Sequence, residues 1–199
     1  QALLEDQRVA AGIVSDVLLE LERLTKPEVS LGMLNELAYR IIRDRGATPC
    51  NLGYKPEWSK TPYPATICSS VDMEVCHAPP GNRILQAGQI VKYDLGAKYK
   101  TGCGDAALTV AVGNISNRQG RTMRYARQAL EEGIKKVRAG VSLLEIGNAI
   151  QYYAETNGFQ IIKEFGGHRI GKMMHMTPHI PHYGLPENAE ILLQAGLVI

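Results

Sequence analysis

Two short sequences each occur twice in this chain, in the same order and at nearly the same spacing. Val29-Ser30-Leu31 returns as Val141-Ser142-Leu143, and Gly46 as Gly158, at an offset of 112. Leu85-Gln86-Ala87-Gly88 returns as Leu193-Gln194-Ala195-Gly196, at an offset of 108. One tetrapeptide match arises by chance. Two ordered matches at near-equal offsets imply two related α+β halves. Each Val-Ser-Leu follows one helical stretch and opens another, and each Leu-Gln-Ala-Gly leads into apolar strand residues. A hairpin at 89–112 should therefore have a counterpart starting near residue 197, with most of it beyond Ile199.

The local patterns fill in that frame. Val9, Ile13, Val17, Leu21 and Leu24 fall at helical spacing within 3–24, and Lys26-Pro27 ends that helix. Ser30 stands at the start of the next, whose apolar face is Leu31, Leu34, Leu37, Ala38, Ile41 and Ile42, with Gly46 as its stop. Residues 47–64, rich in Pro and aromatics, read as an ordered loop, and β-type runs follow at 65–71 and 74–77 before a Pro-Pro-Gly-Asn turn. Residues 89–96 and 104–112 alternate like strands. A second helix pair is expected at 118–138 and 143–157, with Ser142 and Glu145 as a capping box. The remainder reads as glycine- and histidine-rich loop, then a strand from Gly196.

Bulk properties narrow the function. At 199 residues the chain is read as one domain, 1–199. With 45% apolar and 21% charged residues and a net charge of +2, it has ordinary globular composition. No Lys/Arg run with interleaved aromatics marks a specific nucleic-acid surface. No apolar stretch approaches ~18 residues, so no membrane span is expected. Cys50, Cys68, Cys76 and Cys103 lack CxxC pairing and read as free thiols in a reducing cytoplasm.

The chemistry concentrates in acids and histidines. Asp94 lies in IVKYDLG and Asp105 in GCGDAALTV. With a turn at Tyr99-Lys100 they face each other across the hairpin, Cβ atoms ~5 Å apart. Carboxylates so placed repel unless a cation or a proton lies between them, and a two-metal site suits such a pair. The plainer reading is two solvated aspartates on an exposed sheet. Against it stand the apolar neighbours of Asp94 and the glycines before Asp105. His168, in EFGGHRIGK, has glycines before and after it, His175 follows seven residues on, and His77 closes the segment EVCH. Imidazole with carboxylates suits Mn, Fe, Co or Zn. His179 and His182, in a Pro-rich loop, are read as structural.

SSVDMEVCHAPP (69–80), GQIVKYDLG (88–96), GCGDAALTVAVG (102–113) and GGHRIG…H…P (166–178) resemble, in order, the signature segments of type I methionine aminopeptidases. The resemblance runs from about residue 5 to the C-terminus. It implies the pita-bread fold, an α+β architecture with a curved antiparallel sheet and two pseudo-two-fold-related helix pairs, here with its second half incomplete. It implies a hydrolase that removes the N-terminal methionine from nascent proteins with a small second residue, using two divalent ions (Co, Mn, Fe or Zn). A metal-activated water would attack the first peptide carbonyl. By the same match Asp94 would bind one ion, Asp105 both and His168 the second, while His77 and His175 contact substrate and serve catalysis. Cys50, Tyr63, Cys68 and Met174 would line the methionine pocket, as Tyr54 would by a looser alignment. The implied partners are the N-termini of nascent chains and the ribosome that carries them, with the enzyme a cytoplasmic monomer.

The chain departs from the family pattern at Arg169, beside His168, and at Met176, after His175. It departs again at Ala78-Pro79-Pro80 and in the stretch 55–61. The family's two glutamate ligands fall beyond Ile199, the first where the repeat puts the counterpart of Asp94. Residues 1–199 alone are thus expected to be weakly active or inactive. The competing reading is a non-catalytic pita-bread homologue that binds peptides or a protein partner. A dipeptide-cleaving or creatine-cleaving relative would carry a large N-terminal domain.

Overall fold

The computed structural model describes every residue except Trp58, which leaves that part of the 55–61 stretch outside the described residues. The chain forms two compact units, one made of Gln1–Ser116 with Gly171–Met174, the other of Asn117–Ile170 with His175–Ile199.

In the first unit, α1 (Ala2–Leu24) buries Ile13, Val14, Val17, Leu18 and Leu21. These positions are three and four apart, so they form one stripe; Val9 lies outside it and is exposed. The helix stops at Thr25, just before the residue that Pro27 keeps out of the helical region. α2 (Leu31–Asp44) buries Leu31, Leu34, Ala38 and Ile42. Four antiparallel strands follow: β1 (Thr48–Pro49), β2 (Cys68–Val71), β3 (Ile90–Tyr99) and β4 (Gly102–Ala111). β4 pairs with β3 along its whole length, and β1 and β2 share the other edge of β3. Burial along β3 alternates. Val91, Tyr93, Leu95 and Ala97 are fully buried, while Lys92, Asp94 and Lys98 point to the other face.

The buried face lies against α1. A Cβ at Gly102 would sit 2.5 Å from the Gln7 nitrogen, and one at Gly104 2.5 Å from that of Ala11. Only glycine lets helix backbone approach strand backbone so closely. The Tyr93 hydroxyl, buried in this layer, is hydrogen-bonded to Thr25 Oγ1 at 2.8 Å.

The hairpin register differs from the sequence expectation. The turn is Lys100-Thr101, not Tyr99-Lys100, so Asp105 stands opposite Gly96 and Asp94 opposite Ala107. Lys100 adopts φ +48°, and Asp6 of α1 accepts from Thr101 N (3.2 Å) and Oγ1 (2.6 Å). A tertiary bond therefore fixes the turn. The slip is two residues, an even number, so both aspartates stay on one face but diagonal to each other. Residues 74–77 form no strand. Asp72 turns at φ +49°, and the Glu74 carboxylate folds back onto Val71 N at 2.7 Å.

In the second unit, α3 (Asn117–Ile134) and α4 (Leu143–Thr156) cross at Gly133, where a Cβ would meet Ile150 Cγ1 at 2.7 Å. Ala129, Leu143, Ile146, Ile150, Ile180 and Leu193 make the core. α3 is shorter than expected, and Lys136 and Val137 continue only as turns. The supposed loop contains a hairpin, β5 (Gly166–Arg169) with β6 (Met176–Pro181). No strand starts at Gly196, although Val198 O accepts from Ile170 N at 3.1 Å.

The repeat is visible in the hydrogen bonds of each unit. Ser30 bridges Ile84, and Ser142 bridges Leu192. Leu31 N donates to Arg83 O and Leu85 N to Val29 O, both at 2.9 Å; Leu143 N donates to Ile191 O at 2.9 Å and Leu193 N to Val141 O at 2.8 Å. Neither Ser30 nor Ser142 caps its helix through its side chain, and the capping box expected at Ser142 is not formed: the Glu145 N–H donates to the Ser142 carbonyl at 3.2 Å.

Candidate metal and substrate site

The solvent-side face of β3 and β4 carries the first unit's chemistry. Along β3 it presents Lys98, Gly96, Asp94 and Lys92; along β4, Cys103, Asp105, Ala107 and Thr109; on the edge strand, Cys68 opposite Asp94 and Ser70 opposite Lys92. Asp94 and Asp105 are diagonal neighbours, a relation that puts Cβ atoms about 7 Å apart, within reach of one bridging ion. Both are half-buried. Two carboxylates on one face offer hard oxygen donors of the kind that divalent cations take. This donor chemistry fits a divalent metal.

Gly96 sits between them in space, and its missing side chain is used. A Cβ there would lie 2.9 Å from Met174 Sδ and 3.0 Å from Cys50 Cβ. The chain after β1 keeps pairing with β3 through Cys50 N to Gly96 O at 2.9 Å, which lays Cys50 over the glycine. Buried Asn51 fixes the arrangement. It accepts from Gly96 N (3.0 Å) and donates to Asp94 O (3.3 Å) and Cys68 Sγ (3.5 Å). Burial pushes the Cys68 thiol up to about 12 and raises Tyr63 as well, so both are neutral at pH 7. The Tyr63 hydroxyl donates toward Ile67 O (3.2 Å) and Ala78 O (3.1 Å). Cys50, Tyr63, Cys68 and Met174 thus gather beside the aspartates as a neutral, sulfur-rich surface, well suited to a thioether side chain. Tyr54 is exposed.

Cys103 is a member of this group that the sequence reading did not single out. Its thiol is hydrogen-bonded with that of Cys50, which pushes Cys50 up and Cys103 down. Its backbone N donates to Gly171 O at 2.8 Å, holding the Met174 segment against β4.

His77 does not end a strand. It is an exposed residue at φ +59°, and the bonds Ser69 N to Ala78 O (2.8 Å) and Ala78 N to Ser70 Oγ (3.2 Å) strap its segment beside β2. There it borders a cavity of about 260 Å³ shared with Asp94, Lys92, Cys76 and Thr109.

In the second unit, His168 lies on β5 opposite His179, and the pairing slips just after it. The rings of His168 and His175 stand 4.4 Å apart, tilted by 58°. Two imidazoles so close serve as ligands or proton carriers better than as separate surface groups. Two of the four departures named above meet here, exposed Arg169 pairing with Met176 across the hairpin. His179 packs against Gly166, and burial, then the nearby His179, lowers His182.

Residues 5–199 match the profile of metallopeptidase family M24. The chain is 36% identical over 192 residues to methionine aminopeptidase 1 of Bacillus subtilis, covering 96% of this chain and 75% of that protein. It is 35% identical over 197 residues to the methionine aminopeptidase of Clostridium acetobutylicum, covering 98% and 76%. The crystal structure of methionine aminopeptidase from Thermotoga maritima superposes with a TM-score of 0.92 at 30% identity, over 98% of this chain and 76% of that one. Prolidase from Pyrococcus furiosus, at 16% identity and a TM-score of 0.82 over 99% of this chain, shares the fold. That fold is the α+β pita-bread architecture, and the chain spans about three quarters of the length of the methionine aminopeptidases it matches.

Proposed function

This chain belongs to metallopeptidase family M24 and, within it, to the methionine aminopeptidases; from that premise we propose that it removes the initiator methionine from nascent proteins with a small second residue, using two divalent metal ions. The observation that carries the reading is the pairing of two functions on one sheet face. Asp94 and Asp105 share it, and Gly96 between them is roofed by Cys50 and Met174.

In this proposal the two units work as one catalytic domain. Asp94 would hold one ion, Asp105 would serve both and His168 would hold the second. When bound, such ions supply Lewis acidity and a water acidified toward neutrality. The chain's own residues do the rest. Cys50, Tyr63, Cys68 and Met174 take the methionine side chain into neutral surroundings and exclude water from it. His77 hydrogen-bonds the substrate backbone, and His175 donates to the carbonyl oxygen as negative charge develops on it. Residues 1–199 supply three protein ligands, without the two glutamates that the resemblance calls for. A polypeptide confined to them is expected to bind metal weakly and turn over slowly. The remaining parts of the proposal are a cytoplasmic monomer, a nascent-chain N-terminus as substrate and the ribosome as the place of encounter. No helix among the described residues is long and apolar enough to cross a membrane.

The test is methionine release from a Met-Ala-Ser peptide by the whole encoded protein and by residues 1–199, with Mn²⁺ or Co²⁺ and after chelation. Release by the whole protein that needs metal and fails on a bulky second residue is expected. An untouched peptide, with metal bound, favours a non-catalytic peptide-binding relative; release that survives chelation contradicts the metal roles.

A further inference from the structure

On the far side of Asp94 from Gly96, the same face of β3 presents Lys92, two residues along the strand, a spacing of about 7 Å. Lys92 borders the 260 Å³ cavity together with His77 and Asp94. Its ammonium donates to the Asp72 carbonyl at 2.8 Å and makes no ion pair among the described residues. Asp72 and Glu74, whose charges act on it, hold their hydrogen bonds with other donors. Asp72 Oδ1 accepts from Ile90 N at 3.0 Å, and both Glu74 oxygens accept from Arg83 at 2.7 Å, one of them also from Val71 N. An ammonium has three donors, so two remain for a ligand in the cavity.

The layout of this face has a direction. Sulfur-rich surface and the Asp105 carboxylate lie level with Gly96, then comes the Asp94 carboxylate, then an ammonium at Lys92. An extended peptide whose first residue has its backbone level with Asp94, its side chain turned toward Gly96, advances about 3.3 Å per residue, so its third residue comes level with Lys92. We propose that Lys92 forms a subsite for a carboxylate at the third residue of the substrate, giving the enzyme a preference for Met-Ala-Asp over Met-Ala-Asn beginnings. This rests on the aminopeptidase reading above. Lys92 then acts on recognition of the downstream chain, not on the cleavage step.

The experiment compares kcat/KM for Met-Ala-Asp-Ser and Met-Ala-Asn-Ser in the whole encoded protein loaded with Mn²⁺, as wild type, Lys92→Met and Lys92→Arg. Taking the ratio within each protein cancels any general effect of the substitution. Wild type should favour the Asp peptide about tenfold, the value of a partly desolvated charge-assisted contact, chiefly through KM. Raised salt should shrink that preference. Lys92→Arg should keep it and Lys92→Met should abolish it. Equal ratios in wild type and Lys92→Met overturn the subsite and leave Lys92 as a strap for the Asp72 carbonyl. Failure of all three proteins to release methionine from either peptide is a different result. It removes the aminopeptidase reading, and the subsite falls with it.

Discussion

Adding one methyl group at Gly96 should separate pocket from fold. Gly96 has no positive φ, so alanine fits its backbone conformation. The new Cβ would lie 2.9 Å from Met174 Sδ, 3.0 Å from Cys50 Cβ and 3.4 Å from Gly104 O, where ordinary contacts lie at 3.4–4 Å. Met174 can yield, because its sulfur is near the end of a flexible side chain. Cys50 cannot yield freely, since its N–H is bonded to Gly96 O and the next residue, Asn51, is fixed by three hydrogen bonds. Overpacking of this kind costs about 1–3 kcal/mol, and replacing glycine in a strand returns about 0.5–1 kcal/mol. The net loss of stability should stay near 1 kcal/mol. The pocket suffers more. Burying a methionine side chain contributes about 1.5–3 kcal/mol, and a substrate pushed out by the shifted walls loses most of it. That converts to a fall of roughly 10- to 100-fold in kcat/KM for Met-Ala-Ser. Urea denaturation gives the first quantity and peptide kinetics the second. If Gly96→Ala keeps kcat/KM within twofold of wild type, then Cys50 and Met174 do not line the methionine pocket.

Other outcomes follow from the same geometry. Gly104→Ala drives a Cβ to 2.5 Å from Ala11 N and should cost at least about 2 kcal/mol in urea unfolding. Gly12→Ala, in the same helix with nothing within 4 Å of the added Cβ, should gain about 0.5–1 kcal/mol. Thr25→Val leaves the buried Tyr93 hydroxyl without its 2.8 Å partner and should cost about 1–3 kcal/mol. Glu74 is held down to about 2, from an ordinary 4.5, first by its hydrogen bonds with Arg83. Its folded value is the lower one, so its contribution is present above pH 4.5 and is lost as the pH falls toward 2. The pair is exposed enough that no more than about 1 kcal/mol is at stake. Denaturation of wild type and Glu74→Gln should differ at pH 6 and converge near pH 2; a constant difference removes the pair from the stability of this turn.

What could be read from the sequence was what depends on short-range pattern. Helical spacing found α1 and α2 nearly to the residue, and the Val-Ser-Leu repeat implied two related halves, whose helix starts carry matching bridges at Ser30 and Ser142. Alternation put Asp94 on the open face of β3. The turn partner was not readable, because Lys100-Thr101 is selected by Asp6, 95 residues away along the chain from Thr101. An alternating pattern fixes the parity of a hairpin but not its register, so the shared face of Asp94 and Asp105 survived the slip while their direct opposition did not. Residues 166–181 contain eight glycines, histidines or prolines that break any strand period, and the hairpin there rests on packing within its own unit. Ser142 and Glu145 match a capping box, yet the Ser142 carbonyl, not its hydroxyl, takes the N–H of Glu145. Cys103 looked like one thiol among four; only its hydrogen bond with Cys50 marks it.

The central claim is that Asp105 bridges two metal ions that the aminopeptidase activity requires. Electron paramagnetic resonance of the whole encoded protein with two equivalents of Mn²⁺ addresses it directly. The expected result is a spin-coupled signal from two ions in the wild type. In Asp105→Asn a single-ion signal should replace it, together with loss of methionine release. A coupled signal and undiminished release in Asp105→Asn would contradict the account, because a bridge that can be removed without consequence is not the bridge.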